Sequence, residues 1–128
     1  WHLADDPALH YMALGNFDRA MLEIVKTPGF YHARVQLIKV DDGLKVVVFE
    51  RAGFWFCFNF NCSASYPDYE FEVMPGKYRL ALDSDAPEFD GFGRHPEKFL
   101  WTPEDRLPGQ FLKIYLPARS AVVLKREY

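Results

Sequence analysis

Cysteine is scarce in this sequence: 128 residues hold two, Cys57 and Cys62. Small secreted domains that depend on disulfides carry more cysteines per residue, so both are expected as free thiols in a reducing compartment, and the chain as cytoplasmic. An extended strand would hold residues five apart at about 16 Å, beyond disulfide reach, so a bond between the two is not expected. No uninterrupted apolar run reaches about 18 residues, which excludes a membrane-spanning helix. The N-terminus shows no basic region leading into an apolar run, so no signal peptide is visible. Excess positive charge is missing too. The net charge of -3 and pI near 5.8 give no footing for a nucleic-acid or membrane partner. Internal repeats and low-complexity tracts are absent.

Catalytic and metal-binding signatures are equally sparse. His2, His10, His32 and His95 stand apart at spacings no zinc site uses, so they read as surface or structural residues and no metal is expected. Ser63 and Ser65 lack a G-x-S-x-G setting. Gly91-Phe92-Gly93-Arg94 lacks the strand and helix that flank a phosphate loop and reads as a tight turn needing positive φ. Asp83-Ser84-Asp85 pairs carboxylates as a calcium or acid–base site would, but it follows a strand, where Asp and Ser bond the local backbone in turns. Glu88, Asp90, Glu97, Glu104 and Asp105 form no visible pair across a pocket. No catalytic residue and no cofactor are expected.

What the sequence does have is apolar and aromatic residues: 49% of the chain is hydrophobic, with 12 Phe, 7 Tyr and 3 Trp. That excludes a disordered polar segment and suits a β-rich domain of single-domain size. Residues 5 to 25 read as helical. Asp5 or Asp6 caps a first helix with Pro7 in its first turn, Gly15 interrupts, and Asn16 caps a second helix with Phe17, Ala20, Met21 and Ile24 on one face. Thr27-Pro28-Gly29 stops it. From residue 32 the period is two. The expected strands are 33–40, 44–51, 53–60, 69–73, 77–83, 98–102, 111–116 and 120–126, joined by turns at Asp41-Asp42-Gly43, Ala52-Gly53 and Pro75-Gly76. The fold class is all-β, an antiparallel Greek-key sandwich of about eight strands.

Two strands are apolar on both sides. Strand 53–60 places Phe54, Phe56, Phe58 and Phe60 together, expected as the buried face, and Trp55 and Cys57 opposite them. Strand 44–51 sets Leu44, Val46 and Val48 against Val47 and Phe49. A sandwich buries one face of each sheet, so the second face needs another cover. The helix 16–25 is expected to supply part of it. The loop from Ser84 to Glu97 is the longest irregular stretch, and among aromatics in or near loops Tyr66, Tyr69, Phe92 and Trp101 are the candidates for stacking on a sugar ring.

The sequence also resembles a known family. Trp1-His2-Leu3-Ala4-Asp5-Asp6-Pro7 and Phe17-Asp18-Arg19-Ala20-Met21 are similar to the end of the catalytic barrel in glycogen and starch (1,4-α-glucan) branching enzymes of the α-amylase superfamily. Phe49-Glu50-Arg51-Ala52-Gly53, Phe58-Asn59-Phe60 and Ser65-Tyr66-Pro67-Asp68-Tyr69 resemble their C-terminal domain. So do Pro75-Gly76-Lys77-Tyr78, Leu82-Asp83-Ser84-Asp85, Gly91-Phe92-Gly93-Arg94 and Leu116-Pro117-Ala118-Arg119-Ser120-Ala121, all in the family's order. The sequence departs where Asn61-Cys62 replaces a common His-Pro pair, where Glu70-Phe71-Glu72 replaces a more basic segment, and where Asp90 replaces a frequent Gly.

The resemblance implies an excised piece, consistent with the opening Trp1. Residues 1–30 would be the helical end of the (β/α)8 barrel and 31–128 the sandwich. The parent would be a glycosyltransferase of glycogen biosynthesis, cleaving α-1,4 glucan and forming α-1,6 branches, with its catalytic carboxylates in the barrel and none here. The partners implied are that barrel, through Phe17, Met21, Ile24, Val47 and Trp55, and an α-glucan. A free-standing carbohydrate-binding module is the alternative, which would show an exposed aromatic row and no N-terminal helix; a purely structural or adhesive sandwich is a third reading.

Overall fold

The structure, a computed structural model, describes residues 10–95, 100–106 and 109–127. The expected cap at Asp5 or Asp6, Pro7 and the first residues of the 98–102 strand lie outside them. Among the described residues one α-helix, α1 (Tyr11–Val25), precedes nine strands: β1 (Gln36–Asp41), β2 (Val46–Arg51), β3 (Phe54–Asn59), β4 (Tyr66–Val73), β5 (Lys77–Asp83), β6 (Leu100–Trp101), β7 (Glu104–Arg106), β8 (Gly109–Leu116) and β9 (Ser120–Glu127). They form a six-stranded sheet ordered β1-β2-β3-β9-β5-β6 and a three-stranded sheet ordered β4-β8-β7, with antiparallel pairings in both. This is the all-β sandwich expected. The added strand is β7, three polar residues with no alternation to reveal them. β9 returns from the far end of the chain to lie between β3 and β5, so the larger sheet closes only when its last strand is in place.

Local chemistry sets the hairpins. Ala52 (φ 55°) and Gly53 (φ 81°) both occupy the left-handed region, the geometry of a two-residue turn whose twist matches its strands. The Gly53 amide donates to Glu50 Oε1 at 2.8 Å. At the β1–β2 turn the Leu44 amide donates to Asp41 Oδ1 at 3.0 Å.

The core lies between the sheets. Val46, Val48, Trp55, Cys57, Tyr78, Val122 and Leu124 come from the larger sheet; Tyr69, Phe71, Val73, Leu112, Ile114 and Leu116 come from the smaller one. Trp55 is 2% exposed, and its ring meets Tyr78 edge-on at 5.1 Å. Alternation along the expected strand 53–60 predicts Phe54, Phe56, Phe58 and Phe60 as its buried face, toward the sandwich core. The structure reverses this: Trp55 and Cys57 face the opposite sheet, and Phe54, Phe56 and Phe58 face outward. Alternation separates the two faces of a strand but does not say which one meets the second sheet when both are apolar.

A second cluster on that outer face joins Ile24, Phe30, Phe54, Leu82 and Val123, with Phe17, Ala20, Phe56 and Phe89 packed around it. Here α1 covers the sheet, as the double-sided strands required. Leu82 is there because β5 carries a bulge between Leu80 and Leu82, which turns Leu82 away from the face of Tyr78 and Leu80. Strict alternation along 77–83 would place the three together. The helix also runs unbroken through Gly15 and Asn16. A helical glycine costs about 1 kcal/mol relative to alanine, less than the packing of Phe17 and Ile24 returns. Met21, expected on the buried stripe, is exposed instead.

The linker is fixed as it leaves the helix. Gly29 takes φ 81° after Pro28, and the Arg51 guanidinium donates to the carbonyls of Phe30 (3.0 Å) and Tyr31 (3.1 Å) while lying over the Phe30 ring.

Candidate functional site

Two features remain after the core is accounted for. The first is the part of the larger sheet's outer face that α1 leaves open. Strand pairing aligns two apolar rows across four strands: Leu37–Phe49–Phe56–Val123 and Val40–Val47–Phe58–Ala121. The helix lies over the Val123 end. At the other end Leu37 is 61% exposed, Val40 58% and Phe60 67%. A β1 irregularity between Leu37 and Lys39 puts Leu37 and Val40 on this side while Ile38 packs on the core. Phe49, Phe56, Phe58 and Phe60 form a ladder, with rings stacked at 4.9 Å (Phe49–Phe56), 5.8 Å (Phe49–Phe58) and 5.7 Å (Phe58–Phe60). The outward side of α1 adds Leu14, Met21 and Leu22, all exposed. Scattered apolar residues on a surface are ordinary; a contiguous aromatic and aliphatic strip marks a surface that something covers.

The second feature is the end of the sandwich where loops 60–65, 84–95 and 117–120 meet around a polar groove of about 430 Å³. Side-chain-to-backbone bonds clip these loops together. Buried Asn59 donates to the carbonyls of Ala64 (3.0 Å) and Leu116 (3.1 Å). The Ala118 amide donates to Ser65 Oγ (2.9 Å), the Ala121 amide to Ser84 Oγ (2.8 Å), and Arg119 Nε to the Cys62 carbonyl (2.9 Å). At the centre sits Asp85, 4% exposed by its side chain. Its carboxylate accepts from the amides of Phe92 (3.1 Å) and Arg94 (2.9 Å) and from Arg94 Nε (2.9 Å) and Nη2 (3.0 Å). Burial alone would raise the Asp85 pKa, but the Arg94 and Phe92 donors outweigh it and hold the carboxyl below its usual range. Gly91 packs so tightly on Asp85 that an added Cβ would lie 2.1 Å from its carbonyl carbon, while Gly93 takes φ 64°. The expected positive-φ turn is therefore right for Gly93; close approach dictates Gly91. Asp90 sits at φ 63°, a conformation that favours glycine.

The sequence-predicted positions divide accordingly. Phe92 stands 85% exposed at the loop tip, with the Arg94 guanidinium 5.2 Å from its ring. Tyr66 is half-buried, its hydroxyl donating to the Leu44 carbonyl at 2.7 Å. Tyr69 and Trp101 are buried in the core, so neither offers a ring face to a sugar; burial and neighbouring Asp41 push the Tyr69 hydroxyl up to about 12. The structure corrects both as stacking candidates, because inward alternation on β4 and pairing of β6 with Tyr78 took them into the sandwich. Of the five interface candidates, Val47 lies on the open face and Met21 on the exposed side of α1. Phe17 and Ile24 are spent on the helix–sheet contact. Trp55 is a correction: sealed between the sheets, it is unavailable to any partner.

Sequence reasoning missed the Asp85–Arg94 pair and a contact between buried Asp83 and His95, because no local pattern links residues at these separations across an irregular loop. Among the described residues no group of three or more His, Cys, Asp or Glu gathers as a metal site, and no helix is long and apolar enough to cross a membrane.

Residues 38–127 match the family described as "Alpha amylase, C-terminal all-beta domain". Similar curated proteins are 1,4-alpha-glucan-branching enzymes. The one from Yarrowia lipolytica is 42% identical, covering 99% of this chain and 19% of that protein. That from Felis catus is 38% identical over 98% of this chain and 19% of the relative. That from Solanum tuberosum is 43% identical over 85% and 13%. The chain thus spans about a fifth or less of the curated relatives it matches.

Proposed function

The chain belongs to the alpha amylase C-terminal all-beta domain family, and from that membership we propose that it is the accessory domain of a 1,4-α-glucan branching enzyme, bracing the catalytic barrel through the open apolar face of its larger sheet. In this reading residues 1–30 are the tail of the barrel, 31–128 form the accessory domain, and the parent works in the cytoplasm. The observation that carries it is the strip of Leu37, Val40, Val47, Phe58 and Phe60 beside α1. The helix and the strip share one side, so a barrel leading into α1 arrives at the face that lacks a cover. Burying a Phe- or Leu-sized side chain is worth about 1.5–3 kcal/mol, enough over several residues to fix a domain interface. The free-standing module is disfavoured because α1 is packed over part of the same aromatic face.

Glucan contact belongs at the other end of the domain, at Phe92, where an exposed ring is flanked by Arg94, Arg119 and serine hydroxyls. Catalysis belongs to the barrel. The pure chain incubated with amylose should leave the iodine spectrum unchanged. A branching enzyme stripped of its terminal domain should regain solubility and activity when co-expressed with this chain. Phe58→Lys together with Phe60→Lys should abolish that rescue; undiminished rescue removes the face from the interface. Glucan-affinity electrophoresis tests the loop: equal retardation of wild type and Phe92→Ala removes that contact.

A further inference from the structure

His95 is buried where the two sheets meet, and the function proposed above does not use it. Its side chain is 2% exposed. One ring nitrogen, Nε2, lies 2.6 Å from the carbonyl oxygen of Tyr115 in β8, on the three-stranded sheet. The other, Nδ1, lies 3.5 Å from Asp83 Oδ2 at the end of β5, on the six-stranded sheet. Both neighbours are acceptors. A neutral imidazole has one N–H, so either tautomer turns a lone pair toward an oxygen: toward the carboxylate if Nε2 is protonated, toward the carbonyl if Nδ1 is. Nδ1 is itself sealed from solvent, so water in the neighbouring cavity does not relieve that mismatch. Only the doubly protonated ring offers a donor to each side.

We propose that His95 is a pH-operated clasp, which as the imidazolium ties the C-terminal end of the loop 84–95 to both sheets and on losing its proton loosens that end. The loop is the segment that presents Phe92. Its inner anchor is the Asp85–Arg94 pair one residue away, and its other groups line the same pocket. Among the described residues, the ionisable groups acting on the ring are Asp83 from β5, Asp85 from the loop and Tyr115 from β8, whose ring meets the imidazole at 5.6 Å; Arg94 precedes it in the chain and Glu88 lines the same cavity. The carboxylates on this list outnumber its single guanidinium, and that guanidinium is engaged with Asp85. A cavity of about 240 Å³ adjoins the ring, lined by Leu82, Ala86, Pro87 and Phe89, so the loosened end has room to shift.

The electrostatics agree in direction. Burial works against the charged ring, but Asp83 and the Tyr115 carbonyl favour it more, and the balance raises the pKa of His95 above its ordinary 6.5. A raised folded-state value means that the clasp is complete below about 6.5 and is lost as pH rises through the folded-state value.

The test is ring-resonance NMR of the 128-residue chain between about pH 5 and 9, with the His95 signal assigned by its loss in His95→Gln. The expected midpoint lies above about 6.5, and the Phe92 and Arg94 amides should shift with the same midpoint and lose hydrogen-exchange protection above it. Asp83→Asn should lower the midpoint while the β3 and β9 amides stay in place. A midpoint at or below the ordinary value overturns the proposal. So does a loop that ignores the titration. Should Asp83→Asn fail to fold, the wild-type titration still decides, because both readouts come from the unmodified chain.

Discussion

Truncating β3 one residue at a time separates the two faces of the larger sheet. Trp55 points between the sheets and is 2% exposed; Phe58, three residues on, is half-buried on the outer face between the rings of Phe49 and Phe60. Removing a fully buried Trp side chain forfeits its transfer energy and leaves a cavity, together about 3–5 kcal/mol. Phe58 has only part of its surface to lose, about 1 kcal/mol, plus roughly 0.5–1 kcal/mol of ring stacking. For a chain of this length, the Trp55→Ala loss corresponds to about 10–20 °C in Tm, and Phe58→Ala to about half of that. Against a total stability of roughly 5–15 kcal/mol, the first variant is expected to be marginal and the second comfortably folded. Urea unfolding followed by far-UV circular dichroism measures both without relying on tryptophan emission. Equal losses, or a larger loss for Phe58→Ala, would mean that the strand is seated the other way round and that the open aromatic strip does not exist.

The cysteines offer a simpler check. Cys57 is fully buried, and burial pushes its thiol far above the usual range, whereas Cys62 is exposed. A native thiol titration should find one fast group and a second only on unfolding; two fast groups, or none in the monomer, contradict this. The glycines make a graded pair. Gly91→Ala collides with the Asp85 backbone and should cost at least about 2 kcal/mol by thermal melt, while Gly29→Ala meets no atom within 4 Å and should cost only about 1 kcal/mol, for its positive φ.

The sequence by itself determined the layers. Alternation from residue 32 onward, turn chemistry at Ala52-Gly53 and Pro75-Gly76, and the apolar stripe before Thr27 predict a helix followed by an all-β sandwich, because side-chain period and turn geometry are local properties. Doubly apolar β2 and β3 even required a second cover, which α1 partly supplies. Tertiary structure decided what each face met. Trp55 and the β3 phenylalanines exchange roles because either row satisfies the pattern, and only the opposing sheet, built from β4 and β8, selects the one that fits. The bulge in β5 moved Leu82 to the helix side, an extra residue that no periodicity announces. Asp83, Asp85, Arg94 and His95 read as ordinary turn and surface residues along the chain. They gather into one cluster, with Asp83, Asp85 and His95 buried, only when β9 closes the sheet beside β5 and Tyr115 of β8 closes over them, bringing together groups up to 32 positions apart (Asp83 to Tyr115) that local chemistry had no means to pair.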